Sequence, residues 1–173
     1  ASYWNQVLKI NQWQQSRLTN VIVKKLFGTV ANKKIGILGF AFKANTNDIR
    51  NSPSISICKE LLEEGAHLSI YDPKVEIHKI DSVLRNEQNI FQDSQENGIW
   101  DIFSTVEEAA LDSDAIVLLT EWEEFLHIEW DRIIKIMRNP AWIFDTRSCI
   151  DYQKADKAGF NIWEIGNSSL TYK

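Results

Sequence analysis

Hydrophobic residues change their spacing along the chain, from the period of a helix before residue 28 to short runs typical of buried strands after it. From Tyr3 to Phe27 they recur every three or four positions, and neither Gly nor Pro interrupts them. This pattern predicts one long helix that ends at Gly28. The predicted helix exceeds the usual globular length, so it is a candidate for contact with a part of the protein outside this chain.

Five short, mostly apolar runs follow, and each of them predicts a buried strand. They lie at Ile35–Phe40, His67–Tyr71, Asp114–Leu119, Ala141–Phe144 and Phe160–Ile165. Because helical stretches separate these runs, the sequence predicts an α/β fold. We expect a Rossmann-like, three-layer parallel sheet with helices on both faces, preceded by the long N-terminal helix.

The helical stretches carry their own start and stop signals. Ser52 and Pro53 predict the start of a helix that runs to about Glu64, where Gly65 follows. A capping box predicts a short helix after Thr105. Two further stretches are predicted as a broken helix over Trp122–Met137 and a helix over Tyr152–Lys157. Residues 75–100 are polar and predict a surface excursion with one short helix.

Composition excludes several classes of protein. With 44% hydrophobic and 25% charged residues, the 173-residue chain is typical of a globular domain and unlike a disordered one. No run approaches the roughly 18 apolar residues of a membrane span, and the mean hydropathy is -0.28. The net charge of -5 argues against broad binding to nucleic acid or to an anionic membrane.

The two cysteines, Cys58 and Cys149, lie far apart and between apolar neighbours. This placement predicts buried thiols in a reducing compartment rather than a disulfide framework. The first residues lack the pattern of a signal peptide. The chain begins at Ala1 rather than at a methionine, so we expect it to be a piece of a longer protein.

Candidate ligand contacts follow from the predicted sheet, because ligands of open parallel sheets bind beyond the carboxyl ends of the strands. Lys43 lies in the loop after the first predicted strand, and Arg147 follows the strand that ends at Phe144. The two cations are candidates for a clamp on phosphate oxygens. The alternative for each is a solvated surface cation.

Other chemistries are less well supported by the sequence. Phe40, Phe42 and Lys43 follow Gly39 where a G-x-G-x-x-G turn needs bare backbone, so a dinucleotide is not expected across this turn. The three histidines share no ligand spacing, so a metal site is not expected. Asp48 and Asp145 are expected to cap loops rather than to form a catalytic pair. No histidine is near Cys149 in the sequence, so a buried thiol is the preferred interpretation.

Taken together, the motifs resemble the C-terminal UDP-binding domain of the UDP-glucose/GDP-mannose dehydrogenase family. The similar segments occur in the family's order and cover essentially the whole chain. They are Tyr3–Val7, Gly36–Lys43, Asn45–Thr46 with Asp48 and Arg50, Ser52–Ser54, Tyr71–Val75, Thr120–Trp122 and Phe144–Arg147.

The resemblance implies a cytoplasmic oxidoreductase that oxidises UDP-glucose to UDP-glucuronate while two NAD are reduced. It implies two parts: residues 1–28 as the end of a central helix that mediates self-association, and residues 29–173 as a UDP-sugar-binding Rossmann-like domain. NAD would bind mainly to an N-terminal domain outside this chain. A stand-alone nucleotide-binding module and a purely structural dimerisation domain remain alternatives.

The resemblance also implies roles for single residues. Phe42, Lys43 and Arg147 match substrate contacts of the family, and Arg50 matches an arginine that reaches toward NAD. The family's nucleophilic cysteine lies in a Gly-rich segment that has no counterpart here, so the chain alone is expected to be inactive. Ser148 departs from the family pattern, which leaves UDP-ManNAc and GDP-mannose as alternative sugars.

Overall fold

A computed structural model describes residues 16–88 and 98–166. The described part of the predicted N-terminal helix is helical over residues 16–25, here α1, and turns follow through Gly28. The first part of that prediction, including Tyr3–Val7, lies outside the described residues. Leu18, Ile22 and Leu26, spaced at the helical period, are buried against the rest of the core.

Six parallel strands form one sheet. They are β1 (Lys34–Leu38), β2 (His67–Tyr71), β3 (Ile99–Ile102), β4 (Ala115–Leu118), β5 (Trp142–Asp145) and β6 (Asn161–Glu164). The order across the sheet is β3-β2-β1-β4-β5-β6, and every neighbouring pair is parallel. This order is that of a doubly wound Rossmann fold, and it confirms the predicted fold class.

Helices join the strands. They are α2 (Pro53–Glu63), α3 (Ile77–Gln88), α4 (Val106–Ala110), a 3₁₀ helix (Glu123–His127), α5 (Trp130–Ile136) and α6 (Tyr152–Ala158). All four residues of β4 are completely buried. Since successive strand side chains point to opposite faces, both faces of the sheet centre are covered. No helix among the described residues is long and apolar enough to cross a membrane.

The predicted caps of α2 and α4 are confirmed. The Ser52 hydroxyl accepts a hydrogen bond from the N–H of Ser54, and Pro53 opens α2. At α4 the Thr105 hydroxyl accepts from the N–H of Glu108. The Glu108 carboxylate reaches the N–H of Ser104 rather than that of Thr105, so the box closes one residue earlier than predicted.

The region from residue 75 to residue 100 differs from the prediction. It contains the 12-residue helix α3 and the start of strand β3, where one short helix was expected. β3 lies at the edge of the sheet and alternates between exposed and half-buried residues. Because only one side of it pairs and only one face packs, it lacks the continuous apolar run by which the central strands were found.

Candidate functional site

The strand order places a crevice between the ends of β1 and β4. Connections leave the sheet in opposite directions from these two central neighbours, and ligands of open α/β sheets bind at such a switch point. The loop after β1 carries Phe42 and Lys43, and the loop after β5, the next strand beyond β4, carries Arg147. All three predicted substrate contacts therefore lie at the carboxyl edge of the sheet.

The backbone carbonyls of Gly39, Phe40 and Ala41, which follow β1, accept hydrogen bonds from neighbouring hydroxyls. The donors, in the same order, are the hydroxyls of Ser54, Ser52 and Thr120, at 3.3, 2.8 and 2.7 Å. Two of them come from the start of α2 and one from the end of β4. The loop is thus fixed to both of its neighbours at the switch point.

The N–H groups of the same segment are also engaged. Gly39 donates to the Tyr71 carbonyl at 2.8 Å, and Phe42 donates to the Asp48 carbonyl at 2.8 Å. The N–H groups between them, on Phe40 and Ala41, donate to the Asp72 carboxylate at 2.7 and 2.9 Å. Every backbone polar group from the Gly39 N–H to the Phe42 N–H is therefore paired, and the loop is held in one conformation before any ligand arrives.

A dinucleotide does not fit across this turn. In a dinucleotide-binding fold, N–H groups after the first strand face the pyrophosphate. Here the N–H groups of Phe40 and Ala41 face the Asp72 carboxylate, and the Phe40 side chain is completely buried. An internal anion takes the position that a pyrophosphate would need, which agrees with the absence of a G-x-G-x-x-G motif.

Asp145, at the end of β5, shapes the loop that carries Arg147. Its completely buried carboxylate accepts hydrogen bonds from the N–H groups of Arg147, Cys149 and Ile150, at 2.9, 2.9 and 3.1 Å. Asp145 is therefore a loop cap, as the sequence analysis favoured. Asp48 accepts instead from the Arg50 N–H and guanidinium, so the two carboxylates have separate structural partners among the described residues.

The Arg147 side chain lies over the end of β4. Its Nε donates to the Leu119 carbonyl at 2.8 Å and lies 3.5 Å from the Glu121 carboxylate. Among the described residues these partners engage Nε alone, so the two terminal amino groups remain available to an anionic ligand.

A cavity of 620 Å³ adjoins this arginine. Its lining includes Phe42, Leu119, Thr146 and Arg147 from the strand ends, together with residues of α1 and Trp163. Phe42 is about half exposed. The structure thus brings Phe42 and Arg147 to one cavity. Lys43 is exposed and is not among the described residues that line it, so the shared clamp of Lys43 and Arg147 remains a prediction.

Arg50 is exposed over 85% of its side chain, which suits a group that reaches toward another part of the protein. It also pairs with Asp48. Nη2 lies 2.7 Å from one carboxylate oxygen of Asp48, and Nε donates to both oxygens. The guanidinium lowers the pKa of the Asp48 carboxyl to about 2.

Both cysteines are free and buried. Burial raises the pKa of the Cys58 thiol far above its usual value, and burial together with the Asp145 carboxylate raises the pKa of the Cys149 thiol to about 12. Both thiols therefore stay protonated near neutral pH, where only the thiolate is a good nucleophile. No metal-binding group of three His, Cys, Asp or Glu residues occurs in the described ranges.

We expect neither thiol to react with Ellman's reagent in the folded chain at about pH 8, because neither forms a thiolate there. Both should react once guanidinium unfolds the chain. The absorbance of released thionitrobenzoate counts the two thiols directly. Rapid release of one equivalent under native conditions would contradict the burial of Cys58 or Cys149.

Sequence reasoning missed the roles of Asp72, Thr120 and Trp122 at this site. All three belong to motifs that were noticed, but their partners lie between 31 and 79 residues away in the sequence. The available signal was an aspartate placed directly after a buried strand and before a proline.

Known proteins resemble this chain in sequence. The sequence profile described as UDP-glucose/GDP-mannose dehydrogenase family, UDP binding domain, matches residues 36–152. UDP-glucose 6-dehydrogenase of Drosophila melanogaster is 41% identical over 166 residues, which are 96% of this chain and 35% of that protein. UDP-glucose 6-dehydrogenase 2 of Arabidopsis thaliana is 39% identical over 178 residues, which are 96% of this chain and 36% of the relative.

Solved structures show the same fold. NDP-N-acetyl-D-galactosaminuronic acid dehydrogenase of Methanosarcina mazei superposes with a TM-score of 0.67 at 24% identity, over 89% of this chain and 29% of that one. A UDP-glucose dehydrogenase of Pyrobaculum islandicum superposes with a TM-score of 0.65 at 20% identity, over 89% of this chain and 31% of that one. The chain thus spans about a third of the length of its relatives, and it belongs to the UDP-glucose/GDP-mannose dehydrogenase family through that family's UDP binding domain.

Proposed function

We propose that this chain holds the UDP moiety of UDP-glucose for an NAD-dependent 6-dehydrogenase, which oxidises the sugar to UDP-glucuronate as two NAD are reduced. The observation that carries the proposal is the cavity at the switch point, where Phe42 and Arg147 meet within the region matched to a UDP binding domain. The relatives that are about 40% identical are UDP-glucose 6-dehydrogenases, which favours that sugar.

Three residues would contact the substrate. Arg147 offers its terminal amino groups to a phosphate oxygen, and Phe42 presents a half-exposed ring at the same cavity. Lys43 would supply a second cation from the loop after β1, which hydrogen bonds hold in one conformation. Charge-assisted hydrogen bonds of this kind contribute about 1.5–3 kcal/mol each. By holding the UDP end of the substrate, these residues would orient the distant sugar carbon for reaction.

The cofactor and the nucleophile would come from other parts of the protein. The turn after β1 is filled by the Asp72 carboxylate, so NAD would bind mainly to an N-terminal domain, with Arg50 reaching toward it across a cleft. The protonated state of both thiols supports the expectation that no catalytic residue lies in this chain. We therefore assign to the residues of this chain no reaction step that involves NAD.

We propose that the chain consists of two parts. Residues 1–28 would end a central helix through which the protein associates with itself, and residues 29–173 would form the UDP-sugar-binding domain. The cytoplasm is the proposed location. The buried face of α1 supports a fixed attachment between the two parts, since Leu18, Ile22 and Leu26 join the common core.

Titration calorimetry of the 173-residue chain tests this proposal. We expect saturable binding of UDP and UDP-glucose, weaker binding of GDP-mannose, hardly any binding of NAD, and no NADH formation when UDP-glucose and NAD are mixed with the chain. Tighter binding of UDP-ManNAc or GDP-mannose would mean that this nucleotide sugar, rather than UDP-glucose, is the substrate. Tight binding of NAD, or no saturable binding of UDP, would overturn it.

Arg147→Ala should weaken UDP binding at least tenfold, the equivalent of about 1.4 kcal/mol. Arg132→Ala is the matched control, because Arg132 is exposed on α5, pairs with Glu129 and does not line the cavity. Equal affinities of the two variants would show that Arg147 is a solvated surface cation.

A further inference from the structure

We propose that Asp72 is a positioning residue for UDP: its buried carboxylate holds the loop after β1 in the conformation that presents Phe42 and Lys43. This inference rests on the proposed function, because it deepens the account of that same site. Asp72 touches no ligand in this proposal and acts through the loop.

The Asp72 carboxylate lies at the junction of three loops. One oxygen, Oδ2, accepts from the N–H groups of Phe40 and Ala41 and from the Trp122 indole, at 2.7, 2.9 and 3.1 Å. The other, Oδ1, accepts from the N–H groups of Lys74 and Val75, both at 2.9 Å. The loops after β1, β2 and β4 are thereby joined through one side chain.

Five donors on one carboxylate exceed what the stability of the turn after β2 requires. The two bonds from Lys74 and Val75 already close that turn. The other three bonds run to the switch point, and the two shortest of them fix the residues directly before Phe42. Since Asp72 is only 8% exposed, water does not readily replace these bonds when the carboxylate is removed.

Within the described part of the chain, the Asp72 carboxylate is the acceptor that these two N–H groups use. The Thr120 hydroxyl and the Ser52 hydroxyl engage only the carbonyls of the segment. Without the carboxylate, the Phe40 and Ala41 amides must rotate toward solvent or toward another acceptor, and Phe42 and Lys43 rotate with them. Because Phe42 and Lys43 follow directly, a change in those peptide planes moves the proposed ligand contacts.

Asparagine and alanine at position 72 remove different numbers of these bonds. In Asp72→Asn the remaining carbonyl oxygen can accept from only one of the two donor groups, and the new amino group faces the other. If the oxygen stays with Phe40, Ala41 and Trp122, the loop keeps most of its restraint. Asp72→Ala removes all five bonds. We therefore expect UDP affinity to fall about threefold in Asp72→Asn and more than tenfold in Asp72→Ala.

Asp114→Ala is the matched control. Asp114 also accepts from a backbone N–H, that of Lys34 at 2.8 Å, and from Arg138 at 3.4 Å, but it lies at the amino ends of the strands. Its removal should lower stability and leave UDP affinity unchanged. The comparison separates a general loss of stability from a displaced binding loop.

A double-mutant cycle tests the route through Phe42. Phe42→Ala removes the ring that the loop positions, so adding Asp72→Ala to it should weaken UDP binding by less than a further threefold. Full additivity of the two effects would overturn the route through the Phe42 ring. Unfolding in guanidinium is measured for every variant, and if Asp72→Ala does not fold, Asp72→Asn enters the cycle instead.

The outcomes distinguish the two proposals. If the unsubstituted chain does not bind UDP, the proposed function fails, and this inference fails with it. If the unsubstituted chain binds UDP and Asp72→Ala binds equally well, only the positioning role is overturned. Loss of affinity in Asp72→Ala, none in Asp114→Ala and a non-additive cycle together support it.

Discussion

Replacing Gly39 with alanine is expected to lower the free energy of unfolding by about 4 kcal/mol and to abolish UDP binding. Gly39 has a φ of +91°, a conformation that strains any residue with a side chain. An added Cβ would lie 2.6 Å from the Thr120 Cβ and 2.8 Å from the Thr120 backbone nitrogen. Since backbone cannot yield locally, the substitution must separate β1 from β4 at the switch point.

Gly28→Ala provides the control for conformation alone. Gly28 has a similar φ of +83°, but nothing lies within 4 Å of an added Cβ there. Its substitution should cost only about 1–2 kcal/mol, the strain of the left-handed conformation. Guanidinium unfolding followed by circular dichroism measures both variants. Equal losses would show that backbone strain, rather than the contact with Thr120, dominates at Gly39.

Asp145→Ala should destabilise the fold nearly as much as Gly39→Ala, with a loss of about 3–4 kcal/mol in the free energy of unfolding. It leaves three N–H groups, those of Arg147, Cys149 and Ile150, without their acceptor. UDP affinity should fall as well, because the Arg147 backbone is no longer held. The Cys149 thiol should also become easier to deprotonate, since the Asp145 carboxylate contributes to its raised pKa.

Asp151→Ala is the comparison for this second prediction. Asp151 accepts from the N–H of Lys154 at the start of α6 and is the N-cap of that helix. Loss of an exposed N-cap costs about 1 kcal/mol. Thermal unfolding and the rate of Cys149 alkylation at high pH are measured for both variants. Equal stability of the two variants would mean that water replaces Asp145 as the acceptor in the loop.

Local signals predicted the elements whose ends depend on nearby residues. Ser52 and Pro53 fixed the start of α2, and the helix ends one residue before its predicted limit of Glu64. The central strands were equally predictable from the sequence, because burial on both faces leaves an unbroken apolar run. β3 was missed for the converse reason: half of its residues face outward at the sheet edge.

The site was predictable in place but not in detail. Strand ends marked the loops of Lys43 and Arg147, and the fold confirms their common edge of the sheet. The path of a loop depends on contacts between distant residues, and here two left-handed asparagines, Asn45 and Asn51, turn the chain after Lys43. Of the two contacts predicted in this loop, Phe42 lines the cavity beside Arg147, whereas Lys43 is not among the described residues that line it.

The carboxylate inside the turn after β1 has a consequence for protein design. Attempts to give such a sheet a cofactor of its own would begin by introducing glycines into the turn. In this chain, glycines alone would fail, since a pyrophosphate approaching the Phe40 and Ala41 amides meets a resident negative charge. Conversion would require Asp72 to be removed first and the large Phe40 side chain to be reduced. The turn is therefore closed to dinucleotides by charge as well as by shape.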